Sequence, residues 1–419
     1  MKLVVLTNDF PYFVAHRLHV AQAAANAGWT VTVIGPQSQP IPPELAACGF
    51  DISVLPLVRS KLDPAADLNY VRGLVAALGR IRPDVVHAIT IKPVLLGGMA
   101  LQAARLALGR RFGFVATIPG LGLVFSTSAG ASRLGRLRRL AVEALYRAAL
   151  AYPGVRVTFE TQSDRAFFME RFGLPADRAI LLAGTGVDLS RFVPGRPPAA
   201  PMRVLFAGRL LHSKGVDTFC EAARLARSQG LNVEWLIAGW RDGGSADALS
   251  EDDIEALRRS SDVTFLGHVA DMPALLAGVH VLALPTRYPE GVPRILIEAA
   301  ACGVAIVVPD FPGARRLVDH EVSGLLIDDD AGAPAGGPTP AAVSLAQAIA
   351  RLAGDPGLRA RLAAAAQRRV LRDGYGAPEI QTRFLEIFAD SAGRPAPSAA
   401  GGVAHPARAL DVAAPAERS

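Results

Sequence analysis

The sequence has few cysteines and no long uncharged apolar run, and each absence excludes a class of protein. Three cysteines occur in 419 residues, too far apart to form a CxxC pair for a metal or a redox disulfide. We therefore expect a reducing compartment. No uncharged apolar stretch reaches the roughly 18 residues of a membrane span. The apolar N-terminal run meets Asn8-Asp9 too early for a signal peptide, so we expect a cytoplasmic protein that at most touches a membrane surface.

Aromatic residues are also scarce, at 6% of the chain, and neither a zinc-finger spacing nor a long basic run accompanies them. Nucleic acid is therefore not an expected partner. The formal net charge is +6, with 44 Lys and Arg against 38 Asp and Glu, which favours phosphates, lipid headgroups or other anions. Hydrophobic residues make up 51% and charged residues 20%, a balance typical of globular proteins with sizeable cores.

Two series of short β-branched runs alternate with longer helical patterns rich in Ala, Leu and Arg. Continuous apolar strands between amphipathic helices predict parallel sheets covered on both faces. The first series is predicted at 2–6, 30–34, 51–55, 84–88, 112–117, 155–159 and 179–182. The second is predicted at 202–207, 233–238, 263–266, 279–284, 305–308 and 324–327. The sequence therefore predicts an α/β fold with two doubly wound domains that face each other across a cleft.

A proline-rich segment between the two series sets the predicted domain boundary, since its prolines prevent helix formation. We expect a first domain over residues 1–190, a linker over 191–201 and a second domain over 202–375. A helix over 376–391 is expected to return to the first domain. The Ala-, Pro- and Gly-rich remainder, 392–419, has little to bury and is expected to be disordered.

Two carboxylates, Glu290 and Glu298, lie on either side of a predicted helix start at Pro293. Eight helical residues span about 12 Å, so these acids can hold opposite ends of an extended ligand. The free N–H groups between them suit a diphosphate. Alternatively, both acids are simply solvated. The apolar residues around Glu298 favour the first interpretation, because they predict a buried helix on which a carboxylate needs a partner.

Two cations, Arg209 and Lys214, flank a loop that follows the predicted strand 202–207. At the carboxyl end of a strand, such a pair can neutralise a diphosphate and stabilise it as it departs. The alternative is a pair of ordinary surface cations.

Three other patterns receive weaker functional interpretations. Gly120-Leu121-Gly122 lacks the third glycine of a dinucleotide fingerprint, which argues against a nicotinamide site. The acidic run 328–330 is interpreted as a solvated loop rather than a metal site. The basic, amphipathic segment from Arg133 to Arg147 could lie on an anionic membrane surface, or could pack on the core with a solvated basic side. Both alternatives stay open.

In order and spacing, the second half of the chain resembles glycosyltransferase family 4, the retaining nucleotide-sugar transferases of GT-B fold. The segments that carry this resemblance are Gly208-Arg209-Leu210 with Lys214-Gly215, Phe265-Leu266-Gly267-His268-Val269, Leu284-Pro285-Thr286, the paired acids with Glu298-Ala299-Ala300-Ala301-Cys302-Gly303-Val304, and Pro312-Gly313 with Ser323-Gly324-Leu325-Leu326. The resemblance covers the chain to about residue 390.

The first half resembles a narrower branch that builds bacterial surface polysaccharides on lipid carriers. Its marks are Asn8-Asp9-Phe10 with Phe13-Val14-Ala15-His16-Arg17-Leu18, Asp84-Val85-Val86-His87 with Thr90-Ile91-Lys92-Pro93, Gly120-Leu121-Gly122-Leu123-Val124-Phe125, Phe159-Glu160-Thr161-Gln162-Ser163-Asp164-Arg165, and Gly184-Thr185-Gly186-Val187-Asp188.

The resemblance implies roles for the donor-side residues in the second domain. Arg209 and Lys214 would bind the donor diphosphate, and Glu290 would bind the transferred sugar; these three are the expected catalytic residues. Glu298 would bind the ribose. The backbone N–H groups of Gly291 and Val292 would lie near the phosphates, and the loop ending at Val269 would border the base. Arg316 and Pro289 depart from the family pattern, which leaves the donor sugar open.

The acceptor side, in the first domain, offers five candidates. Asn8 and Asp9 occupy a loop where many family members carry two glycines. His16 is expected at the start of a helix facing the cleft, His87 is expected to follow the fourth strand, and Gly120 lies in the next loop. A hydrogen-bonded structural role is equally open for each histidine.

The implied reaction is transfer of a hexose-type sugar, with retention, from a nucleotide diphosphate donor, UDP-sugar foremost. The acceptor would be a polyprenyl-diphosphate-linked saccharide for lipopolysaccharide, exopolysaccharide or another envelope polymer. Neither a metal nor another cofactor is expected, because the two cations would replace it. Two alternatives are a nucleotide-sugar epimerase of the same fold and a non-catalytic sugar-binding protein.

Overall fold

The computed structural model describes residues 1–57, 63–120, 133–245, 247–288, 290–329 and 338–395. The strands of the first sheet are β1 (Lys2–Leu6), β2 (Thr30–Pro36), β3 (Asp51–Leu55), β4 (Val85–Ile89), β5 (Gly113–Ile118), β6 (Arg156–Phe159) and β7 (Ala179–Leu181). Those of the second are β8 (Met202–Ala207), β9 (Val233–Ala238), β10 (Val263–Gly267), β11 (Val281–Ala283), β12 (Ala305–Pro309) and β13 (Leu325–Ile327).

Helices connect these strands. Those of the first half are α1 (Phe10–His16), α2 (Leu18–Asn26), α3 (Pro43–Ala46), α4 (Pro64–Ile81), α5 (Ile91–Leu108), α6 (Arg133–Leu150) and α7 (Gln162–Phe172). Those of the second half are α8 (Val216–Ser228), α9 (Glu251–Ser260), α10 (Met272–Ala277), α11 (Arg294–Ala301), α12 (Pro312–Arg315), α13 (Pro340–Gly354), α14 (Pro356–Arg372) and α15 (Ala377–Ser391).

Both sheets are parallel, as the sequence predicts. The first has the order β3-β2-β1-β4-β5-β6-β7 and the second the order β10-β9-β8-β11-β12-β13. Every residue of β4 and β5 is buried, since helices cover both faces of the sheet. Each strand predicted from the sequence forms, with its ends within two residues of the expected positions. The fold-class prediction is therefore confirmed.

The strand order reverses between β1 and β4 in the first sheet, and between β8 and β11 in the second. In open parallel sheets, ligands bind at such reversals, outside the carboxyl ends of the strands. These two places therefore position the candidate site.

The end of the chain returns to the first sheet. α15 packs against α2 and β5, with Phe384 and Phe388 in the same core as Trp29. The start of α15 lies beside the segment that leaves the first sheet. The Val187 N–H donates to the Tyr375 carbonyl, and the Val187 carbonyl accepts the Ala377 N–H. Two stretches of chain thus run side by side between the domains. The domain bounds given above stay predictions.

Residues 392–395 of the expected disordered tail continue from α15, and Arg394 reaches Asp84. The rest of that segment, 396–419, lies outside the described residues.

Within the described ranges, one helix, α5, has the length and composition to cross a membrane. It connects β4 to β5, which are neighbours in the first sheet. Half of the helix is buried in protein, and residues such as Val94 and Leu101 belong to the core beneath it. α5 therefore covers the sheet as a crossover helix.

Candidate active site

The loop after β8 presents Lys214 to the reversal point of the second sheet. Its last turn ends at Gly215, whose φ of 72° lies in the left-handed region that favours glycine. A Cβ atom at Gly215 would also overlap the carbonyl oxygen of Pro285, in the loop after β11. The two loops therefore touch. Lys214 Nζ donates to Glu290 Oε1 at 2.5 Å, and both side chains are largely buried. The predicted cation and the predicted acid are brought together.

Arg209, in the same loop, is more exposed than Lys214. Its Nη1 donates to Asp242 Oδ2 at 2.7 Å. Asp242 follows β9, and sequence analysis did not identify it. Because Arg209 and Lys214 are each paired with a carboxylate, an incoming diphosphate would compete with acids that already neutralise them.

Glu298 lies on α11, which begins at Arg294 directly after Pro293. The prediction that this helix is buried is confirmed from Leu296 to Ala301. Burial raises the pKa of Glu298, and the guanidinium of Arg294 opposes that shift. Arg294 Nε donates to Glu298 Oε1 at 2.6 Å. The partner that a buried carboxylate requires is thus supplied within the helix.

A cavity lies at the carboxyl ends of β8 and β9 and brings Glu298 together with Val269. Its lining is Ala207, Gly208, Ala238, Gly239, Trp240, Val269, Met272, Arg294, Ile295 and Glu298. Trp240 is half exposed and lies edge-on to His268, with ring centroids 5.5 Å apart. Sequence analysis did not identify Trp240. The sequence did offer a signal: Trp240 comes two residues after the predicted strand 233–238, in a loop at the carboxyl end of the sheet.

Gly120 and Gly291 meet where the two domains touch. A Cβ atom at Gly120 would lie 3.3 Å from the Gly291 nitrogen, and one at Gly291 would overlap the carbonyl oxygen of Pro119. The next N–H, that of Val292, donates to Glu160 Oε2 of the first domain at 3.2 Å. The expectation that this N–H is available to phosphates therefore needs correction for this structure, because a carboxylate occupies it.

At the reversal point of the first sheet, the loops after β1 and β4 are joined by a side-chain bond. Thr90 Oγ1 donates to Asn8 Oδ1 at 2.8 Å. Thr90 has a φ of 71°, which is strained for a β-branched residue. Strained backbone conformations of this kind cluster at functional sites. Asp9 is buried and caps α1 by accepting the N–H of Tyr12 at 2.9 Å. Of the two predicted loop residues, Asn8 thus joins the loops after β1 and β4, whereas Asp9 caps the start of α1.

His16 ends α1 rather than starting a helix, which corrects the prediction. Arg17 has φ −139° and ψ −5°, so the helix breaks there before α2 begins. The His16 ring stacks on Tyr12 with centroids 4.3 Å apart, and its buried Nδ1 has no hydrogen-bond partner among the described residues.

The surroundings of His16 keep its imidazole neutral. Burial is the largest cause that holds the pKa of His16 well below its usual value, and four nearby cations add to it. They are Arg294, Arg17, Arg209 and Lys214. Three of them belong to the second domain, so His16 lies on the side of the first domain that adjoins the second. A neutral ring nitrogen there can accept a hydrogen bond from a hydroxyl.

His87 does not follow the fourth strand but lies in the middle of β4, which corrects the second histidine prediction. It is buried between the sheet and α15, with the rings of Phe384 and Phe388 each 5.1 Å from its own. Its Nε2 bonds to Thr117 Oγ1 at 2.8 Å. His87 is therefore a buried core residue with a hydrogen-bonded structural contact.

Replacing His87 with glutamine should remove part of the acid sensitivity of folding. Burial lowers the pKa of His87 to about 3, so the folded protein keeps it neutral while the unfolded chain binds a proton below pH 6.5. Lowering the pH from about 7.5 to about 5.5 then favours unfolding by about 1.4 kcal/mol at this one group. Urea denaturation at both pH values should show a smaller difference for His87→Gln than for the wild type. An unchanged difference would show that His87 titrates in the folded protein as it does in the unfolded chain.

The basic segment from Arg133 to Arg147 forms most of α6, although the side chains at 133–135, 137 and 138 lie outside the described part. Glu143 is buried on this helix and pairs with Arg139 at 3.2 Å and with Arg171 of α7. Part of the positive charge is thus neutralised within the protein. Both alternatives given for this segment, membrane docking and a solvated basic side, stay predictions.

The remaining motif predictions fall partly on residues outside the described ranges. Residues 121 and 122 of the glycine turn, Asp330 of the acidic run, and Pro289 are among them. Within the ranges that the structure describes, no group of three or more His, Cys, Asp or Glu side chains could hold a metal ion.

Comparison with known proteins gives matches to both halves of the chain. Residues 14–185 match the family model of the glycosyl transferase 4-like domain, and residues 201–355 match that of the glycosyl transferases group 1. A similar protein of Campylobacter jejuni is N,N'-diacetylbacillosaminyl-diphospho-undecaprenol alpha-1,3-N-acetylgalactosaminyltransferase. It is 26% identical over 385 residues, which cover 89% of this chain and 94% of the relative.

Two further similarities concern the donor and the fold. A GDP-mannose-dependent alpha-(1-6)-phosphatidylinositol monomannoside mannosyltransferase of Mycobacterium tuberculosis is 30% identical over 197 residues, covering 41% of this chain and about half (48%) of that protein. The crystal structure of HepE from Anabaena, in complex with UDP and glucose, superposes with a TM-score of 0.70 at 21% identity. That match covers 92% of this chain and 98% of HepE.

Proposed function

Because the chain belongs to glycosyltransferase family 4 and has its GT-B fold, we propose that it transfers a hexose-type sugar from a nucleotide diphosphate donor to a lipid-linked saccharide. The observation that carries this proposal is the pairing of Lys214 with Glu290 at the reversal point of the second sheet, beside the cavity lined by Glu298. One cleft thus offers a cation for a diphosphate, an acid for a sugar and an acid for a ribose.

On the donor side, the chemistry is the departure of a nucleoside diphosphate from the anomeric carbon. Lys214 and Arg209 would take up the negative charge that grows on the leaving group, supported by the start of α11. Glu290 would orient the sugar through its hydroxyls. In a retaining front-face reaction, the leaving diphosphate itself accepts the proton of the attacking hydroxyl. Closure of the cleft would exclude water, which otherwise hydrolyses the donor.

On the acceptor side, His16 and Asn8 are the groups best placed to receive a saccharide. The neutral imidazole lies near the donor-side cations and can accept a hydrogen bond without adding charge. A lipid-linked acceptor is supported by the name of the Campylobacter relative, which specifies a diphospho-undecaprenol substrate. The guanidinium groups of Arg139 and Arg147 on α6 are partly exposed although both lie close to Glu143, and they would then attract anionic lipids, placing the enzyme on the cytoplasmic face of a membrane.

A UDP-sugar is the first donor to test. HepE was crystallised with UDP and glucose, whereas the Mycobacterium relative is named for GDP-mannose. These two proteins thus differ in the base of the nucleotide that their names or titles give. The lining of the base end of the cavity, Trp240 and Val269, would decide between the two bases in this chain.

The test is a donor screen with membrane extracts that carry polyprenyl-linked glycans, read by mass spectrometry. We expect one nucleotide sugar to add a single sugar residue to a lipid-linked glycan, with release of the nucleoside diphosphate. Heat-inactivated protein and the Lys214→Ala variant serve as controls. Conversion of the donor into its epimer without acceptor would favour the epimerase alternative, and donor binding with no turnover would favour a sugar-binding protein.

A further inference from the structure

Glu160 is a buried carboxylate that crosses from one domain to the other. It directly follows β6 in the first domain, and its Oε2 accepts the N–H of Val292 in the second domain at 3.2 Å. A Cβ atom at Gly291 would lie 2.5 Å from the same oxygen. The carboxylate thus reaches the loop only because residue 291 is a glycine, and it contacts the chain two residues after Glu290.

The other oxygen of Glu160 is held by Arg17. Arg17 Nη2 donates to Glu160 Oε1 at 2.9 Å, and the two side chains are 1% and 4% exposed. Arg17 Nη1 also donates to the carbonyl oxygens of His16 and, at 3.4 Å, Thr185. A charge buried this deeply requires such a partner. With Oε1 fixed by the guanidinium, Oε2 points at the second domain.

The backbone break between α1 and α2 belongs to the same arrangement. Arg17 is the residue at the break, and its side chain reaches Glu160 from there. His16, which lies near the donor-side cations, comes immediately before it. The Arg17–Glu160 pair therefore connects two things: the placement of His16 on the acceptor side, and the placement of the Glu290 loop on the donor side.

We propose that Glu160, held by Arg17, is a positioning residue that fixes the Glu290 loop of the second domain against the first domain. Because this hydrogen bond joins the two domains, it favours the arrangement seen here, in which the Glu290 loop lies against the first domain. Glu160 does not touch the substrates. Its effect on transfer rests on the proposed function, whereas its effect on the loop does not.

A double variant, Arg17→Met with Glu160→Leu, removes the pair while keeping the volume apolar. Replacement of both members of a buried ion pair is tolerated far better than replacement of one. We expect the variant to fold, with the amide of Val292 exchanging with solvent about tenfold faster or more, because a hydrogen bond to a charged acceptor is lost. Hydrogen exchange read by mass spectrometry on a peptide spanning residues 290–298 measures this without any substrate.

The matched control is Arg171→Met with Glu143→Leu. That pair is also buried at its acid and lies wholly within the first domain. It should change the melting temperature but leave exchange in residues 290–298 as in the wild type. Arg17→Met with Glu160→Gln adds a second control: no buried cation is left unpaired, and the amide oxygen can still accept the Val292 N–H, so much of the protection should remain.

Once a donor is identified, kcat and the donor Kd together separate an effect on positioning from an effect on binding. We expect kcat of the Arg17→Met, Glu160→Leu variant to fall about tenfold or more, with the donor Kd changed less than about threefold, because the donor contacts lie in the second domain. Wild-type exchange in residues 290–298 would overturn the proposal whether or not transfer is found. Tighter donor binding with unchanged kcat would also overturn it, by showing that Glu160 only competes with phosphate.

Discussion

Replacing Lys214 with alanine should lower the rate of glycosyl transfer about 100-fold or more. The ammonium group lies within 2.5 Å of the Glu290 carboxylate at the reversal point of the second sheet, where negative charge would grow on the leaving diphosphate. Removing one fixed group that stabilises such charge costs about two to three powers of ten in kcat. Initial rates at saturating donor, with the melting temperature measured in parallel, test this expectation.

Arg203→Ala is the matched control for Lys214→Ala. Arg203 pairs with Glu234 at 2.7 Å. This pair lies at the start of β8, so it is at the opposite end of the strand from the cleft. Arg203→Ala should cost a similar amount of stability and leave transfer unchanged. Glu290→Gln should reproduce the loss seen with Lys214→Ala, since the amide cannot pair ionically with the lysine. Wild-type turnover in both site variants would refute the roles assigned to Lys214 and Glu290.

Replacing Gly313 with alanine should impair both folding and transfer. A Cβ atom at this position would overlap the carbonyl oxygen of Gly291 and lie 2.6 Å from that of Glu290. Backbone atoms cannot swing aside as a flexible side chain can, so the Glu290 loop has to shift. Overpacking of this kind costs about 1–3 kcal/mol of stability. We expect transfer to fall by more than the stability loss explains, because the displaced segment carries Glu290, the acid proposed to bind the sugar.

Gly354→Ala provides the comparison for Gly313→Ala. Gly354 ends α13, and a Cβ atom there would meet nothing within 4 Å. Alanine also favours helix over glycine, so stability should be unchanged or slightly higher. Denaturant unfolding and transfer assays on both variants distinguish the two cases. A Gly313→Ala protein with wild-type kcat would show that the Glu290 loop tolerates displacement.

Most of the fold can be read from the sequence because most of its strands are buried on both faces. Such strands appear as continuous β-branched runs, as in β4 and β12, and their alternation with helices fixes parallel pairing. The same pattern identifies the loops at the carboxyl ends of β8 and β11. Lys214 is identified by its place in the loop after β8, whereas Glu290 is identified by its place before the start of α11.

The contacts between the domains could not be predicted. Glu160 and Val292 are 132 residues apart, and neither sits in a local pattern that identifies its partner. The helix break at Arg17 was also missed, because no proline or glycine marks it in the sequence. A tertiary ion pair accompanies the break instead. The return of the helix over 376–391 was expected, but the sequence does not show that its Phe384 and Phe388 pack on His87, and that residue was therefore misplaced.

The side-by-side passage of chain at Val187 and Gly376 limits how the two domains can move. These residues form a bridge, and backbone hydrogen bonds on either side of it join the outgoing and returning segments. Because both connections between the lobes are joined at this one place, we expect any opening for substrate entry to be a rotation about it, with less freedom for the lobes to slide past each other.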